Sequence, residues 1–324
     1  SGGFCNPALE GFMECQMEVI NCPHEQVAGH IADGHTRITR KPAVCLVGPE
    51  GFANAVPSMM EAWGERSPVI FITGSSSLKR QGSGGFKEID DVAIAAPLTK
   101  YSASITDGTR IREFVDKAYR IATNGYPGAV HLSMPVDIMF SSFSEDAGLE
   151  ERPFSHQTKP IVKAWPDPAQ ISEILELACN SKKPVLIGGH GIWWSGSEKK
   201  LEEAGNNLKI PIFNIPYHQK LLGEEANAYM GLADIHQYPP SKFALHKSDL
   251  VILAGRPSMG KTALATNIAY NAAQNILKRQ EKSSIAFFSL EMSSEQLSTR
   301  ILSEQARIKS DDIRRGKVTE EEVN

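Results

Sequence analysis

Asp249 to Thr262, DLVILAGRPSMGKT, constrains this chain more than any other stretch. Asp249-Leu250-Val251-Ile252-Leu253-Ala254 is a short apolar run rich in β-branched residues, the make-up of a strand buried within a parallel sheet. Gly255-Arg256-Pro257-Ser258-Met259-Gly260-Lys261-Thr262 then fits the pattern G-x-x-x-x-G-K-[ST] without a mismatch. Glycine at 255 and 260 allows the tight turn and close approach that such a loop needs. Unpaired N–H groups and the dipole of the following helix then converge on a phosphate. Average residue usage produces such a match in a chain this long on the order of once in a hundred. A strand, a loop and a helix in that order point to an α/β layout.

With 324 residues the chain has room for two domains, or three small ones. At 41% hydrophobic and 22% charged residues it can bury a core without disulfides or metal. A formal net charge of -4 argues against a general electrostatic grip on nucleic acid or anionic membrane. Five cysteines, Cys5, Cys15, Cys22, Cys45 and Cys179, are odd in number and contain no C-x-x-C pair, which supports neither a disulfide framework nor a zinc site. Reduced thiols and the lack of a membrane-length apolar run imply a cytoplasmic protein. The opening Ser1-Gly2-Gly3-Phe4 lacks a starting Met, as in a fragment or a processed chain.

From His24 onward, short apolar runs alternate with helical stretches. Ala43 to Val47, Val69 to Thr73 and Ala129 to Leu132 read as strands, and Ala53 to Trp63 as a helix. Between about Ser141 and Pro168 the periodicity fades into a polar, proline-containing linker. A second unit follows: helix Ala169 to Cys179, strand Pro184 to Ile187, turn Gly188-Gly189-His190-Gly191, helix Glu198 to Asn206 and strand Pro211 to Asn214. The glycine turn is not a dinucleotide fingerprint, because Trp194 stands where the third glycine of G-x-G-x-x-G belongs. Helix Thr262 to Lys278, strand Ile285 to Leu290 and helix Ser294 to Ile308 complete the expected order.

Pro23-His24-Glu25-Gln26-Val27-Ala28-Gly29-His30-Ile31-Ala32-Asp33-Gly34 resembles the segment around the cofactor-activating glutamate of thiamine-diphosphate enzymes, in the acetolactate synthase and oxalyl-CoA decarboxylase group. Lys41 to Leu46, Gly51 to Asn54, Pro68 to Ser75, Phe86 to Asp90 and Gly128 to Asp137 look like successive landmarks of that family's pyrimidine-binding domain. Pro184 to Gly191 and Lys209 to Pro211 match its central domain in order and spacing. The resemblance implies thiamine diphosphate as cofactor, bound at its aminopyrimidine end by Glu25 and Asn54. Glu25 is then the catalytic carboxyl, held in an apolar slot so that it exchanges a proton with the ring. A 2-oxo acid or acyl-CoA substrate and a homo-oligomer are implied as well. A zinc-protease reading of His24-Glu25 fails, since His30 lies six positions after His24 rather than four.

The chain also departs from that pattern. Glu50 places an acid in the turn Gly48-Pro49-Glu50-Gly51, and Lys87 stands where many members carry glutamine beside the active site. No G-D-G occurs, the motif with which the family binds the diphosphate through magnesium, and the opening strand looks clipped. The thiamine portion is therefore expected to be incomplete as a catalyst.

Gly255 to Ala265, Phe287 to Ser293, Arg300 to Leu302 and Asp312 to Gly316 resemble the RecA-type ATPase domain of the bacterial DnaB-like replicative helicase. This implies that residues 255 to 262 hold ATP phosphates, with Lys261 reaching the β- and γ-phosphates and the Thr262 hydroxyl ligating Mg²⁺. Glu291, at the end of the expected second strand, matches the catalytic glutamate that polarises the attacking water. Lys309, Arg314, Arg315 and Lys317 are interleaved with acids and read as a solvated face, so DNA is a partner only if the helicase portion were completed.

The expected fold class is α/β: two successive parallel-sheet three-layer domains followed by a partial RecA-like P-loop unit. The expected divisions are 1–145, a linker at 146–168, 169–250 and 251–324. Three readings follow: a thiamine-enzyme fragment fused to the ATP-binding start of a helicase, a helicase-type ATP-binding fragment, or a chimera of two genes with neither activity.

Overall fold

The structure is a computed structural model that describes residues 2–143, 167–215, 220–234 and 239–254, with scattered helical positions between 269 and 303. The chain divides into two compact units, Ser1–Pro168 and Ala169–Asn324.

The first unit runs α1 (Asn6–Glu14), α2 (Glu25–Thr39), β1 (Ala43–Val47), α3 (Pro49–Gly64), β2 (Val69–Ser75), α4 (Asp91–Ala95), β3 (Ser102–Ser104), α5 (Ile111–Thr123), β4 (Val130–Pro135) and α6 (Val136–Met139). Its four strands form a parallel sheet in the order β1-β2-β4-β3. Period-2 alternation splits the core into two layers. Val69 and Phe71 join Phe52, Ala55 and Met59 of α3 on one face, while Ile70 and Ile72 join Ala118 and Ala122 of α5 on the other. Both faces of β2 and β4 are thus covered, which is why these strands read as continuous apolar runs.

Helix α2 starts at Glu25 because the His24 side chain caps it, accepting from the Gln26 N–H at 3.2 Å. It ends at Arg40, whose left-handed φ of 61° breaks the helical path. Helices α2 and α3 cross closely at Gly29, where a Cβ would stand 1.8 Å from Ser58 Oγ. Helix α3 begins at Pro49, four residues before the expected Ala53, since proline at the first helical position loses no intrahelical bond.

The second unit contains α7 (Pro168–Asn180), β5 (Pro184–Gly188), α8 (His190–Ser195), α9 (Glu198–Leu208), β6 (Ile212–Asn214), β7 (Tyr229–Leu232), α10 (Pro239–Lys247) and β8 (Leu250–Ala254). Its sheet is parallel in the order β7-β6-β5-β8, with Pro184 opposite Leu250 and Gly188 opposite Ala254. The glycine turn after β5 is the tight entry to α8. The Asp249 carboxylate fastens the start of β8, accepting from the Ser181 hydroxyl and from the N–H groups of Lys182 and Lys183, each at 2.8 Å.

The fold class is α/β with parallel sheets, as expected. Strands β3 and β7 and several helices, α5 among them, were not among the expected elements. Ser102-Ala103-Ser104 carries no β-branched or aromatic residue, and β7 includes Gly231, so neither gives a strand signal. Strand β4 ends at Pro135 rather than Leu132 because Ser133 and Met134 are also buried between its neighbours. Positions 269–270, 273–274 and 276–278 are helical, within the expected helix 262–278. Most of the expected linker 146–168, the phosphate loop 255–262 and the strand carrying Glu291 lie outside the described residues, and Pro168, the last linker residue expected, opens α7.

Candidate functional site

The first unit brings together two of the residues that the sequence singles out, Glu25 and Asn54. Glu25 opens α2, and its Oε2 accepts a hydrogen bond from Asn54 Nδ2 of α3 at 3.1 Å. Gly51, in the first turn of α3, lies directly against the Glu25 side chain: a Cβ there would come within 2.6 Å of Glu25 Cγ and 2.7 Å of Oε1. A side chain at 51 would push the Glu25 carboxyl out of its place across α3. Glu25, Gly51 and Asn54, 29 positions apart at the extremes, thus form one small constellation where two helices begin.

Its electrostatics differ from the expected apolar slot. Glu25 is half-buried, and its carboxyl is held below the usual carboxylate range by its own backbone N–H and then by the Asn54 amide. Hydrogen bonds to the charged form outweigh desolvation here, so within this chain Glu25 is an ionised acceptor. Cys45 of β1 lies nearby, its buried thiol pushed up to about 12 by desolvation, with Cys22 and Glu25 adding to the effect. It is a neutral packing group.

The two departures from the family pattern meet. Lys87 Nζ forms an ion pair with Glu50 Oε1, which holds the Glu50 carboxyl below its ordinary range. Glu50 immediately precedes Gly51, so this pair borders the Glu25 constellation.

A second polar group, inside the sheet, escaped the sequence reading. His131 of β4 is fully buried between the Thr73 and Ser102 hydroxyls, with Nε2 2.9 Å from Thr73 Oγ1 and Nδ1 3.0 Å from Ser102 Oγ. Ser102 donates its own hydrogen to Val92 O at 3.0 Å, which assigns the ring proton to Nδ1 and leaves Nε2 to accept from Thr73. Burial pushes His131 down to about 4. Asp91 Oδ2 lies 3.9 Å from Nε2, buried and without a hydrogen bond of its own, and burial pushes that carboxyl up to about 6. Phe52 packs its ring on His131 at 5.2 Å and links this network to the first turn of α3. The available signal was a polar stripe at period 2, with Thr73 and Ser75 on one apolar strand and His131 and Ser133 on its neighbour.

Of the predicted site residues, Glu25 and Asn54 are brought together. Gly255, Arg256, Pro257, Ser258, Met259, Gly260, Lys261, Thr262 and Glu291 lie outside the described residues.

Comparison with known proteins gives three family matches. Residues 1–94 match the thiamine pyrophosphate enzyme N-terminal TPP binding domain, and residues 145–279 match the central domain of the same enzymes. Residues 241–324 match the DnaB-like helicase C terminal domain. The acetolactate synthase large subunit of Lactococcus lactis subsp. lactis is 31% identical over 265 residues, covering 78% of this chain and 45% of that protein. The acetolactate synthase large subunit of Cyanidium caldarium is 31% identical over 237 residues, covering 72% of this chain and 40% of that protein. Among solved structures, the thiamine diphosphate-dependent 4-hydroxybenzoylformate decarboxylase of Rhodococcus jostii RHA1 shares the fold with a TM-score of 0.68 at 20% identity, over 79% of this chain and 48% of that one. The chain spans less than half the length of these relatives.

Proposed function

We propose, from a chain that carries the N-terminal and central domains of thiamine pyrophosphate enzymes joined to a DnaB-like helicase C-terminal segment, that its first 250 residues are the pyrimidine-binding and central portions of an acetolactate synthase-like 2-oxo acid decarboxylase or carboligase. The proposed divisions are 1–145, a linker at 146–168, 169–250 and a helicase portion at 251–324, in a cytoplasmic protein. The observation that carries the reading is the Glu25–Asn54 pair seated on Gly51.

These residues fit the aminopyrimidine end of thiamine diphosphate. Glu25 offers a carboxyl that would share a proton with a ring nitrogen, Asn54 fixes its orientation, and Gly51 leaves the space beside it. When bound, the cofactor supplies a carbanion-forming centre and an electron sink. Glu25 then holds or moves a proton at the ring nitrogen, a step that proceeds best when its carboxyl pKa lies near that of its partner.

Titration with thiamine diphosphate and Mg²⁺, followed by intrinsic tryptophan fluorescence, tests the reading. A saturable change that weakens about tenfold or more in Glu25→Gln is expected, since one charge-assisted hydrogen bond is lost. A flat response up to millimolar cofactor defeats it.

A second reading is favoured by the intact phosphate-loop pattern at 255–262, inside the helicase match. In that reading residues 255–262 bind ATP with Mg²⁺ at Thr262, Glu291 serves as the water-polarising base, and DNA is not bound by this portion alone. ATP-Mg²⁺ should then raise the unfolding temperature of the chain but not of Lys261→Ala, and equal protection of both refutes it. That the central-domain and helicase matches overlap at 241–279 supports a junction of two genes on the shared strand β8.

A further inference from the structure

We infer that the buried Asp91–His131 pair is a proton-linked switch: when the Asp91 carboxyl ionises, the hydrogen on the His131 ring moves from Nδ1 to Nε2, and the Ser102 hydroxyl turns from Val92 O to the bared Nδ1. The device starts from one unpaired atom. Asp91 Oδ2 is buried, makes no hydrogen bond and lies 3.9 Å from His131 Nε2. The groups that face the pair are the Thr73 hydroxyl from β2, the Ser102 hydroxyl from β3, the Ser133 hydroxyl from β4 and the Phe52 ring from α3. The charged neighbour acting on Asp91 is Asp90 at the cap of α4, which opposes its ionisation.

The hydrogens balance in both states. With Asp91 protonated, His131 Nδ1 donates to Ser102 Oγ at 3.0 Å, Ser102 donates to Val92 O at 3.0 Å, and Thr73 donates to Nε2 at 2.9 Å. Loss of the carboxyl proton to solvent leaves a full charge facing Nε2, which in that tautomer is a lone pair and repels it. Transfer of the ring hydrogen from Nδ1 to Nε2 puts an N–H opposite the carboxylate and turns repulsion into attraction. Thr73 Oγ1 changes from donor to acceptor, and Nδ1 takes the Ser102 hydrogen. One proton leaves the molecule and one crosses the ring.

The surroundings permit this exchange and little else. Hydroxyls on both nitrogens and the Phe52 ring at 5.2 Å hold the imidazole in a close-packed core, so the hydrogen moves and the ring does not turn over. Val92 O also accepts from the Ala96 N–H, so it stays bonded when Ser102 leaves. Burial pushes the Asp91 carboxyl up to about 6, which brings the changeover near neutral pH. On the acid side Ser102 ties β3 to α4, and on the alkaline side it ties β3 to β4.

Ring-nitrogen NMR of the isotope-labelled full chain tests this from about pH 5, where His131 is still neutral, to about pH 8. Nδ1 should carry the hydrogen at the acid end and Nε2 at the alkaline end. The tautomer ratio should change by about tenfold or more, the difference between a charge-assisted and a neutral hydrogen bond. The Asp91 carboxyl carbon, followed in the same samples, should titrate with the same midpoint, and the Val92 carbonyl carbon should shift with it in the wild type but not in Ser102→Ala. In Asp91→Asn, whose amide does not ionise, the Nδ1 tautomer should persist throughout. A single tautomer across the range, an Asp91 carboxyl that does not titrate in it, or a tautomer change that survives in Asp91→Asn overturns the switch. A Val92 carbonyl that stays fixed in the wild type overturns the exchange at Ser102.

Discussion

Asp91 and His131 face each other inside the first unit with both side chains almost wholly enclosed, and their protonation is exchanged between them when the chain folds. Near pH 5 an unfolded chain carries the proton on histidine and leaves the aspartate ionised. The folded unit holds His131 neutral, with its pKa down to about 4, and Asp91 protonated, with its pKa up to about 6. The stabilising contribution of neutral His131 is present above about pH 6.5 and lost as pH falls toward 4. Asp91 acts in the opposite sense, since its raised pKa adds stability below its ordinary value and removes it as pH rises through about 6. The two slopes offset. Asp91→Asn should therefore be more stable than the wild type at pH 7 by about 3 kcal/mol, with the difference vanishing near pH 4. Urea unfolding across that range measures it, and a pH-independent difference would show that Asp91 stays ionised in the fold. Glu25 stood out in the order of residues because its neighbours in sequence resemble the family pattern. The Asp91–His131 pair was not, because its members lie 40 positions apart and meet only across the sheet.

At the scale of elements, the close crossing of α2 and α3 and the fastening of β8 each depend on one side chain. Gly29→Ala should gain a little helix propensity but lose more to the contact with Ser58, whose hydroxyl is buried and bonded to Ala55 O. A net loss of about 1–3 kcal/mol is expected, partly rescued by Ser58→Gly. Equal stability of Gly29→Ala and wild type would mean that the helices simply shift apart. Asp249→Ala removes three hydrogen bonds that join the α7–β5 turn to β8, so amides of 251–254 should exchange faster while those of β6 do not. The same clamp holds the Asp249 carboxyl down to about 2. Its contribution is present above the ordinary aspartate value and is lost as pH falls through about 2. Helices and strands with clear apolar period, such as α3, β2 and β5, were readable to within a few residues. Strands β3 and β7 were not, because they are strands by virtue of their neighbours' open hydrogen bonds and carry no strand composition of their own.

For the whole molecule, the central-domain and helicase family matches overlap at 241–279. Strand β8 pairs with β5 along its full length and belongs to the sheet of the second unit, although the helicase match already covers it. A chain ending at Ala254 should then keep the denaturant midpoint of the second unit, whereas one ending at Ser248 should lose an edge strand and unfold earlier. Equal midpoints for the two truncations would place β8 outside that sheet. The residue order by itself determined the α/β class and the strand character of 250–254, and it singled out Glu25 as the expected cofactor-facing residue. Apolar periodicity, capping and loop motifs act over a few residues of chain, so local composition suffices for them. Tertiary structure alone decided which sheet takes β8, that Glu50 and Lys87 neutralise each other, and that the Glu25 carboxyl is held below its ordinary range while Asp91 keeps its proton up to about pH 6. Registry, charge pairing and desolvation arise only when residues tens of positions apart are brought into contact, and no local run of sequence encodes that meeting.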